Sequence, residues 1–239
     1  MYRRAERVRF SEVGPNGRLT LPALINYFQD CSTFHSEDIG VGLDYLQERD
    51  CAWLMSFWQV VIEEYPRMGE EIQIETRPYE FELFMGKRNF EMFSAQGDSL
   101  AKADSLWFYY DAKKGRPERP PKDLVLAYGL DEAIEMDYAK SRKIPLADSM
   151  KLLPPFPVRR IQLDTNNHVN NGQYVRMAVE YIPAGDVREF RIEYKKAARL
   201  GDVIYPWVGE RDGWTVVALC DENKKPYAVA SARGDLERG

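Results

Sequence analysis

The sequence is poor in the residues that build metal sites and covalent cross-links. It holds three cysteines and two histidines in 239 residues. Cys31, Cys51 and Cys220 are odd in number and lack the paired spacing of a zinc site. A disulfide framework is therefore not expected, and neither a metal nor another cofactor is implied. Unpaired cysteines suit a reducing compartment. No window approaches the ~18 apolar residues of a membrane span. The first seven residues have no apolar core of the kind a signal peptide carries. The expected compartment is the cytoplasm. No glycine-rich run matches a dinucleotide or phosphate loop. The net charge of −5 argues against a general nucleic-acid surface. What remains is an ordinary globular composition, 44% apolar and 13% aromatic, long enough for a sizeable core.

Against that background one stretch stands out. Residues 163–174 read Leu-Asp-Thr-Asn-Asn-His-Val-Asn-Asn-Gly-Gln-Tyr and contain one of the two histidines. The run has no apolar periodicity, so it is neither a strand nor the buried face of a helix. Asn, Asp and Gly tolerate turns and left-handed conformations, so it reads as a loop. It separates a strand-like run at 156–161 from a helix-like run at 174–182, with Asn170 or Asn171 as the N-cap. A polar loop entering a helix N-terminus offers free backbone N–H groups and a positive dipole end. An imidazole, a carboxylate and free amides are what hydrolysis of a carbonyl compound needs.

The rest of the chain repeats a plan. Residues 2–10 suit a first strand, with Val8 and Phe10 on one face. A breaker-rich loop at 11–18 follows. Thr20 caps a helix that buries Leu21, Leu24, Ile25 and Phe28. Helical character continues, broken near Gly40 and Gly42, to about Arg49. Strands are expected at 52–64, 71–79, 86–95 and 100–111, which lays one helix on an antiparallel sheet. A Pro- and Lys-rich connection leads into residues 121–155, a linker with one or two helices. The second copy then begins. Val13–Leu19 lies 150 positions before Leu163–Val169, and Arg67–Ile72 matches Arg199–Ile204 at an offset of 132. Two matches in the same order argue for internal duplication. The second copy is 18 residues shorter between these landmarks, the missing piece being the helix extension around 36–49. Strands at 215–220 and 227–233 complete it. The expected fold is α+β: repeats at 1–120 and 156–239 pair edge to edge into one extended sheet. The groove between the copies is the natural ligand site.

Asp164-x-Asn166-x-His168-Val169-Asn170-Asn171-x-x-Tyr174, followed by Ile192-Glu193-Tyr194-Lys195-Lys196 and Gly201-Asp202, resembles the acyl-[acyl carrier protein] thioesterases of plant plastids and bacteria. The strand around Trp107 and Pro66-Arg67 before Gly69-Glu70 agree. The resemblance covers nearly the whole chain and implies a double hot-dog fold. It implies catalytic roles for Asp164, Asn166 and His168, with Asn170, Asn171 and Tyr174 beside the substrate. There is one departure. Plant members carry Glu-Cys after the Glu-Tyr-basic-basic segment, and here those positions are Ala197 and Ala198. No cysteine nucleophile and no carboxylate can act from there.

The resemblance implies hydrolysis of a fatty acyl thioester held on acyl carrier protein. His168 would act as general base on water, or protonate the leaving thiol. Asp164 would orient His168 or activate the water, and Asn166 would bind the thioester carbonyl. Backbone N–H groups near Asn171 and Gly172 could hold the oxyanion. The first copy has Gly14-Pro15-Asn16-Gly17-Arg18 at the equivalent place, where only Asn16 keeps the chemistry, so one site per chain is expected. The first copy is then free to hold the acyl chain, with Trp53, Phe57 and Trp107 as candidate wall residues; ordinary core packing is the plainer reading of each. An acidic carrier needs a basic rim, and Arg159, Arg160, Lys195, Lys196 and Arg199 flank the motif. A solvated charged surface is the bland alternative. His35 reads as structural or surface. An acyl-coenzyme A thioesterase, a hot-dog dehydratase using Glu180, and a non-catalytic acyl-binding protein are the rival functions. Tandem repeats supply in one chain the pairing a single hot-dog needs, so both monomer and homodimer fit.

Overall fold

The computed structural model describes residues 1–164 and 166–236, without the side chain of Leu236. The chain divides into two compact units: residues 1–56 with 60–138, and residues 57–59 with 139 onward.

The first unit runs β1 (Tyr2–Arg7), α1 (Leu21–Asp38), α2 (Leu43–Glu48), β2 (Cys51–Ile62), β3 (Glu71–Glu82), β4 (Met85–Ser94), β5 (Ser99–Asp111), β6 (Arg116–Pro117) and α3 (Lys122–Tyr128). Its main strand order is β1-β3-β4-β5-β2, and β6 pairs with β5. α1 starts where the sequence places it: Thr20 Oγ1 accepts the Ala23 N–H at 3.4 Å, and Pro22 lies in the first turn. Leu24, Ile25, Phe28 and Cys31 form its buried stripe. The Phe28 ring meets Phe90 of β4 at 5.3 Å between centroids. Truncating such a ring to alanine costs about 3–5 kcal/mol.

The expected first strand is shorter than residues 2–10. Glu12 Oε2 captures the Arg9 N–H at 2.8 Å and bends the chain into a 3₁₀ turn, Phe10–Glu12. Val8 is buried while Phe10 is 83% exposed, so the two do not share a buried face.

The second unit runs β7 (Lys151–Leu152), β8 (Phe156–Pro157), α4 (Asn171–Val179), β9 (Gly185–Tyr194), β10 (Val203–Arg211), β11 (Trp214–Cys220) and β12 (Pro226–Leu236). The order is β9-β12-β11-β10-β7, and β8 pairs with β10. A strand over 156–161 does not form. Pro157 ends β8, and the Arg159 N–H goes to Gln162 Oε1 at 2.7 Å, giving a second 3₁₀ turn, Arg160–Gln162. α4 begins three residues before the expected 174 because Asn170 is its cap, and it ends at Val179.

The duplication extends to individual hydrogen bonds within each unit. Val8 N–H to Glu70 C=O (2.9 Å) matches Val158 to Asp202 (2.8 Å). Thr20 N–H to Glu12 C=O (3.0 Å) matches Asn170 to Gln162 (2.9 Å). Leu19 N–H to Pro66 C=O (2.8 Å) matches Val169 to Ala198 (2.9 Å). Glu70 and Asp202 each turn a carboxylate onto a backbone N–H three residues earlier, Arg67 at 3.0 Å and Arg199 at 2.9 Å. Each bond satisfies a group that the turn would otherwise leave unpaired.

The outer face of the first sheet carries a polar latch for the segment after α3. Asn89 Oδ1 accepts the Ile134 N–H at 3.1 Å and the Tyr138 hydroxyl at 3.0 Å. Asp104 accepts from Asn89 Nδ2 at 3.2 Å and from the Tyr79 hydroxyl at 2.9 Å. Burial pushes the Asp104 carboxyl up to about 6.

Candidate active site

The loop that the sequence singles out closes on its own backbone. Leu163 and Val169 form an antiparallel bridge. Inside it, the Asp164 N–H donates to the His168 carbonyl at 2.7 Å and the Asn167 N–H to the Asp164 carbonyl at 3.1 Å. Asn167 sits at φ +58°, a left-handed position that asparagine tolerates. Asp164 Oδ1 accepts two backbone N–H groups, from Asn166 at 2.8 Å and from His168 at 3.1 Å. The carboxylate thus reaches the backbone of residue 168, and this bond shapes the loop rather than orienting the imidazole. His168 is half-buried and Asn166 is exposed. Asp164, Asn166 and His168 share one turn of five residues.

The loop is anchored below by α4 and two tyrosines. Asn170 Oδ1 accepts the Gly172 N–H at 2.8 Å. That bond occupies one of the two backbone donors expected at the helix start and leaves the Asn171 N–H as the other. The Asn171 carbonyl accepts the Tyr194 hydroxyl at 3.1 Å. Tyr174 Oη accepts the Ala198 N–H at 2.7 Å, and the Ala198 carbonyl takes the Val169 N–H at 2.9 Å. The two phenol rings meet edge to face, 5.9 Å between centroids. Burial raises both phenols well above their ordinary range, so they stay protonated. Tyr174 is therefore a support beneath the loop. Ala198 is fully buried and Ala197 is exposed. The segment that carries Glu-Cys in the plant pattern is bonded directly to the loop, with two methyl groups in place of the acid and thiol.

The five basic residues near the motif separate into two groups. Lys195 pairs with Glu193 at 2.5 Å, and Lys196 pairs with Asp221 at 2.5 Å while lying over the Tyr227 ring. Arg159, Arg160 and Arg199 are exposed, and no ion pair holds them among the described residues. The Val158–Asp202 bond sets the turn carrying Arg159 and Arg160 beside the one carrying Arg199. Two aliphatic side chains on these turns are open to solvent: Ile161 is 88% exposed and Leu200 51%. Sequence reasoning missed both. Their only signal is an apolar residue in a turn otherwise made of charge.

The three wall candidates do not share one environment. Trp53 lies in an aromatic cluster of the first unit, with Tyr109 at 5.1 Å, Phe81 at 5.9 Å and Tyr128 at 6.3 Å between centroids. Val41, Leu46 and Leu124 complete that cluster. Phe57 is buried in the part of β2 assigned to the second unit. Trp107 is half-buried and donates to Ser105 Oγ at 2.8 Å. His35, read as structural or surface, is buried against Arg88. Arg88 itself went unnoticed, although it breaks the inward apolar series Gly86, Phe90, Met92 of β4. Among the described residues no group of three or more His, Cys, Asp or Glu could hold a metal ion, and no helix is long and apolar enough to cross a membrane.

Two family models match the chain: that of the acyl-ACP thioesterase N-terminal domain over residues 1–128, and that of the C-terminal domain over residues 147–225. A chloroplast dodecanoyl-[acyl-carrier-protein] hydrolase of Cinnamomum camphora is 24% identical over 221 residues, 85% of this chain and 58% of its own. A chloroplast palmitoyl-acyl carrier protein thioesterase of Arabidopsis thaliana is 21% identical over 238 residues, 92% of this chain and 56% of its own. The chain thus spans a little over half the length of these relatives. An acyl-ACP thioesterase from Bacteroides thetaiotaomicron superposes with a TM-score of 0.86 at 20% identity, covering 97% of this chain and 96% of that one. The 12:0-ACP thioesterase from Umbellularia californica does so with 0.86 at 21%, covering 99% and 97%. These likenesses establish the double hot-dog fold. With one model on each repeat, the chain belongs to the acyl-ACP thioesterase family.

Proposed function

We propose that this chain hydrolyses fatty acyl thioesters carried on acyl carrier protein, releasing the free acid in the fatty acid pathway of a reducing, cytoplasmic compartment. The observation that carries the reading is the loop itself. A half-buried imidazole and an exposed amide stand on a turn whose backbone is held by Asp164, Tyr174 and the Asn170 cap. His168 takes the proton of the attacking water and returns it to the leaving thiolate. Asn166 donates to the thioester carbonyl, and the Asn171 N–H adds to the charge that develops there. Asp164 keeps both in register, and its second carboxylate oxygen can hold the water. Because Ala197 and Ala198 supply neither acid nor thiol, the loop works without them. Attack by water is favoured over attack by Asp164, whose Oδ1 is committed to two backbone N–H groups.

The carrier docks, in this reading, through Arg159, Arg160 and Arg199 around Ile161 and Leu200. Unpaired arginines steer an acidic partner, and exposed aliphatics give it contact area. Lys195 and Lys196 are spoken for by Glu193 and Asp221 and contribute less. The acyl chain lies in the first repeat, with Trp53 at its wall; Phe57 and Trp107 remain secondary candidates. A dehydratase is disfavoured because Glu180, its candidate acid, is exposed at the C-cap of α4. One experiment tests the assignment: thiol release from a chain-length series of acyl-carrier and acyl-coenzyme A thioesters, with double-bond absorbance followed in parallel. Thiol release with a carrier preference that falls steeply with salt is expected. Enoyl chemistry, or binding without turnover, would overturn it.

A further inference from the structure

Residues 113–122 carry five cations, Lys113, Lys114, Arg116, Arg119 and Lys122, and a single acid, Glu118. In a chain of net charge −5 that is a local reversal of sign. The acid is engaged inside the segment: Lys114 pairs with it at 2.6 Å and Arg116 at 3.3 Å. Lys113 pairs with Asp50, yet its side chain is 75% exposed, and surface pairs this open hold little. Arg119 and Lys122 are exposed and hold no ion pair among the described residues.

The segment delivers these two cations to the rim of an apolar groove. The groove, about 250 Å³, is lined by Phe81 and Leu83 from the β3–β4 hairpin, Val125 and Leu126 from α3, and Arg119 and Lys122. No carboxylate among the described residues lines it; Glu82 and Asp123 are exposed beside it in sequence. Two of its leucines sit where packing gives them nothing. α3 buries Leu124 and Tyr128, while Leu126 is 79% exposed on a face that a surface helix ordinarily makes polar. Lys122 lies one turn before Leu126 and is its neighbour on the helix surface. Leu83 opens the two-residue hairpin loop between β3 and β4. Its φ is +53°, where glycine or asparagine is usual, and it is 61% exposed.

Protruding aliphatics beside unpaired cations fit an anionic lipid surface better than a protein. Protein interfaces draw their energy from aromatic and arginine anchors in close-fitting pockets, and leucine is under-represented among them. A bilayer needs no such fit. It takes up exposed apolar side chains, and its surface charge attracts cations that have no fixed partner. Apolar insertion and a polybasic segment together are the two signals that stable peripheral attachment needs.

We infer that Leu83, Leu126, Arg119 and Lys122, with the basic segment behind them, dock the first unit on an anionic membrane surface. The attachment is peripheral, and the claim does not depend on the hydrolase reading.

The test is co-sedimentation of the full chain with vesicles of phosphatidylcholine alone and of equal parts phosphatidylcholine and phosphatidylglycerol. The wild type should bind the anionic vesicles at least about tenfold more tightly, and high salt should remove most of that preference. Arg119→Gln with Lys122→Gln should weaken anionic binding about tenfold or more. Leu83→Asn with Leu126→Gln should weaken it about tenfold while keeping the salt dependence. Both of the latter replacements suit their backbone, Asn the left-handed turn and Gln the helix, so the fold is retained. Thiol release from a carrier thioester without vesicles should be unchanged in both double variants. No vesicle binding, equal binding to the two compositions, or undiminished anionic binding in both double variants would overturn the inference. So would variants that lose carrier-dependent thiol release and bind vesicles as the wild type does, which would make the face a protein-docking surface. Absence of thiol release in the wild type would sink the hydrolase reading and leave the vesicle result to decide this one.

Discussion

The corner loops of the two repeats have the same backbone and opposite uses of it. In the first, the Gly14 N–H meets the Arg18 carbonyl at 2.9 Å; in the second, the Asp164 N–H meets the His168 carbonyl at 2.7 Å. Gly17 at φ +71° and Asn167 at φ +58° occupy the same left-handed place. The difference lies in which side chain closes the turn. In the first loop Asn16 Oδ1 accepts the Arg18 N–H at 3.0 Å. In the second that task passes to Asp164, which accepts the His168 N–H at 3.1 Å. Asn166 is thereby released from structural work. The residue at the end of the turn also diverges: Arg18 reaches back to the Tyr65 carbonyl at 2.8 Å, tying the loop to its own unit, where the second loop carries His168. Duplication supplied one frame twice, and moving a single acceptor by two positions leaves the Asn166 side chain outside the turn's hydrogen bonds, as the proposed chemistry requires.

Substitutions can break this comparison at graded points. His168→Ala should lower turnover by roughly 10² to 10⁴, the range for a positioned acid–base group. Asp164→Ala removes the acceptor of two N–H groups and should cost about 1–3 kcal/mol of stability, with turnover falling about 10- to 100-fold as the frame loosens. Asp164→Asn keeps an oxygen in place, so thermal unfolding close to wild type with reduced turnover would show a role for the charge itself. Tyr174→Phe strands the buried Ala198 N–H; a fall in turnover of about 3- to 30-fold with an unchanged KM for the acyl chain is expected. Asn16→Ala should leave hydrolysis within about twofold of wild type and lower Tm by a few degrees, as for the loss of about 1 kcal/mol in a chain of this size. A pH series sharpens the contrast on stability. Asp104 is held above its unfolded value, so its ionisation weakens the fold as pH rises through about 6. Asp104→Asn should raise Tm at pH 8 and make no difference below pH about 4.

Much of this was legible in the sequence because periodicity and breakers are local signals. The Thr20 and Asn170 caps, the buried stripe of α1, the five-residue corner and the offsets between copies follow from side chains acting on their own neighbourhood. The errors came where a side chain overrode propensity. Phe10 and Ile161 read as strand, yet Glu12 and Gln162 capture a backbone N–H and bend both segments into exposed 3₁₀ turns. The aromatic cluster around Trp53 was not legible: it joins Tyr109, Phe81 and Tyr128 across long stretches of sequence, which no local pattern reports. Nothing in the residues around Arg88 and His35 announces that the two meet, because 53 positions separate them.

The claim at the centre of this account is that the two corners are one scaffold and that only the second carries the chemistry. The most direct measurement is made on a chain bearing Asp164→Gly, Thr165→Pro, Asn167→Gly and His168→Arg, which gives the second corner the residues of the first. Thermal unfolding and thiol release from an acyl-carrier thioester are read on the same sample. The account expects a folded protein with Tm within a few degrees of wild type and hydrolysis at background. A chain that no longer folds would contradict the shared scaffold, and one that still releases thiol at the wild-type rate would contradict the placement of the chemistry.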